Sequence, residues 1–160
     1  MSKRTAAPPD DSAHEAHEAH EAHEAHEAVR ALYARDLAAQ ALGVEILDVA
    51  PGAVRLAMLV RTDMLNGHGT CHGGMLFSLA DTAFAFACNS YGEAMVAAGA
   101  SIEFIAAAAR GDRLIATASE TSRSVRHGIY DVAVTKASGE LVAHFRGRCA
   151  RLRVPSGTSA

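Results

Sequence analysis

The stretch Asn66–Asn89, NGHGTCHGGMLFSLADTAFAFACN, decides how the rest of the chain is read. Its first half holds four glycines, Gly67, Gly69, Gly73 and Gly74, within eight positions. Glycine is costly inside regular structure and useful where a backbone turns sharply or comes close to a ligand. From Met75 to Cys88 there is neither Pro nor Gly, and Ala, Leu, Phe and Met dominate, which predicts one helix of several turns. It is apolar almost all round, the mark of a buried helix. Ser78, Asp81, Thr82 and Asn89 share one narrow stripe, and Asp81 is the only charge. Two readings stand: the stripe faces water, or Asp81 is a carboxylate kept in a protected site as general base or nucleophile. Partial burial would make it more basic than a free carboxylate.

Gly73 and Gly74 fall at the helix start, where backbone N–H groups lack intrahelical partners and the helix dipole adds positive charge. Such a start can hold an anion or the oxyanion developing on a carbonyl. It is not a phosphate loop, because no Gly-Lys-Ser/Thr follows. Gly73 and Asp81 are eight residues apart, about 12 Å of helix. One reacting carbonyl cannot touch both in the same chain. A mechanism that uses both therefore predicts a dimer with its active sites at the interface. His72 can orient a substrate carbonyl or satisfy loop backbone groups. Asn66 can donate its amide to substrate or simply turn the chain before Gly67. Cys71 beside His72 as a nucleophile with its base, and His68, Cys71 and His72 as zinc ligands, are weaker readings: sequence neighbours rarely face each other, and no fourth ligand is evident.

Outward from this stretch the pattern is strand-like on both sides. Val44–Ala50 and Ala53–Val60 flank the turn pair Pro51-Gly52 and predict a hairpin. Met95–Ile105, Arg113–Val125, Ile129–Thr135 and Leu141–Val154 predict four more strands, joined by short loops and so mainly antiparallel. The expected class is α+β, a curved antiparallel sheet wrapped around one central helix. Val29–Leu42 predicts an amphipathic helix stopped by Gly43. Before it, His-Glu-Ala repeats five times over His14–Ala28. Ala and Glu favour helix, with Asp11 or Ser12 as cap, but a period of three sends the histidines spiralling around it. The tract reads either as metal-binding or as a solvated low-complexity expansion. The expected organisation is a disordered, low-complexity segment over 1–28, one domain over 29–154 and a flexible tail over 155–160.

Composition narrows the function. Fifteen Lys and Arg oppose 18 Asp and Glu, and five of the glutamates belong to the repeat, so the remainder carries about +2 (15 against 13). Neither that balance nor 5% aromatic residues suits a nucleic-acid partner. Three cysteines without a pairing pattern fit a reducing compartment. The start has no apolar leader, and Asp81 interrupts the best candidate for a membrane span, so a cytoplasmic protein without a membrane partner is expected.

The same stretch resembles the PaaI-type (phenylacetic-acid degradation) acyl-CoA thioesterases of the hotdog fold. The hairpin GVEILDVAPGAVRLAMLV and the later segments SIEF, GDRLIATA, GIYDVAVT and LVAHFRGR resemble that family too, so the likeness spans roughly residues 33–152. It implies hydrolysis of phenylacetyl- or hydroxyphenylacetyl-type CoA thioesters, with no cofactor and no metal. The family's helix carboxylate falls on Asp81, its helix-start glycine on Gly73, and its loop histidine and asparagine on His72 and Asn66. Gly74 and Thr82 adjoin these as substrate-binding positions, and Arg123 and Arg126 are among the cations available for CoA phosphates. The resemblance implies a homodimer as working unit, commonly paired into a homotetramer. The alternatives are a hotdog hydratase or dehydratase and a non-catalytic acyl-CoA-binding module. One departure is visible: where the family has Leu-Arg-Pro before its Gly-Asp turn, this chain reads Ile105-Ala106-Ala107-Ala108-Ala109-Arg110.

Overall fold

A computed structural model of the chain describes residues 11–152. Expectations for residues 1–10 and for the tail from Pro155 lie outside the described residues. The described residues begin with one helix, α1 (Asp11–Tyr33). The helix takes in the whole His-Glu-Ala tract. The Ala-Glu content favours this, and Ala25 and Val29, one turn apart, are buried against the body. The helix expected to run unbroken over Val29–Leu42 is split. Asp36 turns away and caps a second helix, α2 (Leu37–Leu42), by accepting the Ala39 N–H at 2.9 Å. Gly43, at φ +71°, closes α2 in the left-handed conformation.

The hairpin forms as predicted from β1 (Glu45–Ala50) and β2 (Ala53–Leu59). Gly52 sits at φ +72°, and a side chain there would also meet the Tyr91 hydroxyl at 2.7 Å. After a 3-10 turn at Thr62–Met64 and the glycine loop comes α3 (Gly73–Asn89), then β3 (Met95–Phe104), β4 (Arg113–Arg123), β5 (His127–Lys136) and β6 (Leu141–Arg151). All pairings are antiparallel, and the order across the sheet is β1-β2-β4-β5-β6-β3. Strand β3 therefore leaves its neighbours in sequence and becomes an edge, paired only with β6.

The core lies between α3 and the concave sheet. Leu79, Ala80, Ala83, Phe84, Phe86 and Ala87 are fully buried. Phe84 packs against Tyr130 and Phe145, each at 5.8 Å between ring centres. Helix and sheet come close because β6 carries Gly147, where a Cβ would stand 2.8 Å from the Phe84 ring. Helix α3 also holds β3 at both ends. The Asn89 amide exchanges two hydrogen bonds with the Met95 backbone, both 3.0 Å, and Phe104 lies against Gly73, 3.0 Å from where a Cβ would be.

Candidate active site

The glycine loop is tied together by Asn66. Its Oδ1 accepts the N–H groups of His68 (2.9 Å) and Thr70 (3.2 Å), and its Nδ2 donates to Thr70 Oγ1 (3.0 Å). Gly69, at φ +78°, completes the turn. Cys71 N–H then donates to Ala108 O and His72 N–H to Met64 O, both at 2.8 Å, which fixes where α3 begins. The segment 105–110, where the Arg-Pro pair is missing, is thus held by the loop itself and by Val142 O, which accepts from both Ile105 and Ala106.

His72 is the N-cap of α3. Its Nδ1 accepts the Gly74 N–H at 2.9 Å. A ring nitrogen that accepts carries no hydrogen, so in the neutral ring Nε2–H is the donor left for another group. Gly74 therefore serves the cap, and its N–H is not available to a ligand in this geometry. The Gly73 N–H has no partner among the described residues. It borders a cavity of about 390 Å³ shared with Asn66, Thr70, Leu76 and Phe104.

Asp81 sits two turns further along. It is half-buried, and no hydrogen bond or ion pair reaches its carboxylate among the described residues. Burial, and then the charge of Asp36, push its carboxyl above the ordinary carboxylate range. It stands on the wall of two clefts: one of about 760 Å³ with Asp36, Arg61, Phe77 and Thr82, and one of about 600 Å³ with Leu32, Asn89 and Met95. Thr82 turns its hydroxyl back to Ser78 O at 2.8 Å. Sequence reasoning missed Asp36 as a neighbour of Asp81. The signal was present as a cap residue ahead of LAAQALG, but nothing local says which way α2 folds back.

The structure brings Asn66 and Gly73 to one cavity and gives Asp81 and Thr82 to another, while His72, the cap of α3, lines neither. Arg123 and Arg126 line neither. Arg123 pairs with Glu93 at 3.0 Å and stacks 3.9 Å over the Tyr91 ring, while Arg126 borders a separate cavity with His127 and Arg151. Cys71 is 5% exposed and burial raises its thiol, the wrong direction for a thiolate nucleophile.

Residues 68–143 match the model of the thioesterase superfamily. The acyl-coenzyme A thioesterase PaaI of Escherichia coli (strain K12) is 45% identical over 122 residues, covering 76% of this chain and 87% of that protein. The chain belongs to the PaaI-type thioesterases. The solved structure of the E. coli PaaI protein, from the phenylacetic acid degradation operon, superposes on this PaaI-type chain with a TM-score of 0.81 at 43% identity, over 82% of this chain and 96% of that one. A hypothetical thioesterase from Streptococcus pneumoniae, solved with coenzyme A, gives 0.66 at 26% identity over 68% and 85%. The curved six-stranded sheet around α3 is the hotdog fold of these PaaI-type enzymes.

Proposed function

We propose that the chain hydrolyses acyl-CoA thioesters of the phenylacetyl or hydroxyphenylacetyl type to free acid and CoA, working in the cytoplasm as a homodimer or a pair of dimers. The observation that carries this reading is the pairing, on one helix, of a Gly73 N–H with a raised Asp81 carboxylate, both without a partner among the described residues. The thioester oxygen binds at the Gly73 N–H, where the helix dipole favours the charge that develops on it. His72 Nε2–H is the second donor. Asn66 acts by holding the loop in shape, since its amide is engaged there. Asp81 activates water or attacks the carbonyl itself.

Because the two groups face different cavities about 12 Å apart along α3, each active site takes Gly73 from one chain and Asp81 from the other. Strand β3 supports this arrangement. Its outer edge is unpaired, Val96–Ser101 is exposed and uncharged, and such an edge is a template for another strand.

The test is free-thiol release from phenylacetyl-CoA by wild type and Asp81→Asn. We expect the rate to fall about 10³-fold, within the range for a lost acid–base group. Equal release by both proteins would remove Asp81 from the reaction. Turnover of an enoyl-CoA without thiol release would move the chain to the hydratases. Tight CoA-ester binding with no turnover would make it a binding module. An equimolar mixture of Asp81→Asn with a Gly73→Ala variant should regain activity through hybrid dimers if the site is shared.

A further inference from the structure

The histidines and glutamates of the five His-Glu-Ala units of α1 take no part in the core, which only one alanine of the repeat, Ala25, enters. Residues 14–20 are exposed, and the helix is anchored only further on, at Ala25 and Val29. With 3.6 residues per turn, a period of three never gathers all the histidines on one face. It does give nearly every histidine at position i another histidine at i+3 and a glutamate at i+4, and these positions are surface neighbours on a helix. In three of the four groupings, two of the three donors are already together. His14 Nε2 lies 3.1 Å from Glu18 Oε1, and His17–Glu21 and His20–Glu24 repeat the contact at 3.3 Å. Among the described residues no three such donors converge as they stand. The missing donor is an exposed imidazole one turn away, so side-chain rotation alone brings it in.

We propose that α1 binds divalent late-transition cations in overlapping sites of two imidazoles and one carboxylate, His(i), His(i+3) and Glu(i+4). Imidazole suits zinc, nickel and copper, whereas magnesium and calcium prefer oxygen ligands alone. The groups His14/His17/Glu18 and His20/His23/Glu24 share no residue, so two ions fit on one helix, with water completing each coordination shell. Only neutral imidazole ligates, so acid releases the metal. Each ion ties one turn to the next and stabilises the exposed part of the helix, because it binds the folded arm better than the frayed one.

The test is calorimetric titration of the full chain with zinc chloride in a non-coordinating buffer, beside a variant carrying His14→Gln, His17→Gln, His20→Gln and His23→Gln. Wild type should take up two zinc ions per chain and gain helical circular dichroism. The variant should show neither change, and magnesium chloride should give no heat with either protein. The variant keeps Ala25 and Val29, and an unchanged unfolding midpoint verifies that its fold is intact. Equal zinc uptake by both proteins would overturn the proposal, as would no uptake by wild type. One ion per two chains, with a doubled mass in sedimentation, would also overturn it, because the metal would then bridge molecules.

Discussion

Helices α1 and α3 are held in opposite ways. Helix α1 has 23 residues and is polar on nearly every side. It stands on Ala-Glu propensity and i,i+4 pairs, and such pairs contribute only a few tenths of a kcal/mol each. Helix α3 has 17 residues, eight of them buried, and no internal ion pair. Its position is dictated by the sheet that surrounds it. A carboxylate and a backbone N–H can be set at a fixed separation only on an element of the second kind. An arm of the first kind can carry a repeated surface chemistry but cannot aim it.

Breaking the packed helix should have the largest effect. Phe84→Ala removes a fully buried ring between Tyr130 and Phe145 and should cost about 3–5 kcal/mol in urea unfolding. A capping change is smaller. Asp36→Ala should cost about 1 kcal/mol, while Asp36→Asn, which can still accept the Ala39 N–H, should cost little. Asp36→Asn should also lower the pH at which Asp81 loses its proton, read as an acid shift of the pH–rate profile, because a like charge is removed.

Asp81→Asn sharpens the contrast further by acting on stability in the opposite sense. The folded Asp81 titrates above its unfolded value, so its ionised form is disfavoured by folding. The stability gained by the amide should be present at neutral pH, shrink as pH falls through the raised range, and vanish once the carboxyl is protonated in both states. Thermal melts of both proteins across that range measure it. Starting the chain at Ala22 should change stability least, by under about 0.5 kcal/mol, because the described residues lost, 14–21, are exposed.

Much of α3, with the positions proposed as its site, was legible because the signals are local. A run without Pro or Gly, an apolar wheel with one polar stripe and glycines at its start mark where the helix begins and ends and which residues it buries. The hairpin at Pro51-Gly52 was legible for the same reason. What could not be read depends on distant partners. The strand-like run Met95–Ile105 predicts a strand but not that it crosses the sheet to pair with β6, leaving Val96–Ser101 exposed. Arg123 offered a free cation in sequence, and only the fold brings Glu93 and Tyr91 to it. The break at Asp36 lies between these cases. The cap residue was visible, but apolar periodicity across it favoured one continuous helix, and the side-chain bond to Ala39 decided otherwise.

The two fastenings between α3 and β3, Asn89 to Met95 at one end and Phe104 against Gly73 at the other, make a braced frame. A strut pinned at both ends cannot shift at one without loading the other. Whatever settles on the open edge of β3 therefore loads the Phe104 contact at Gly73, the first residue of α3, without any change along the helix itself.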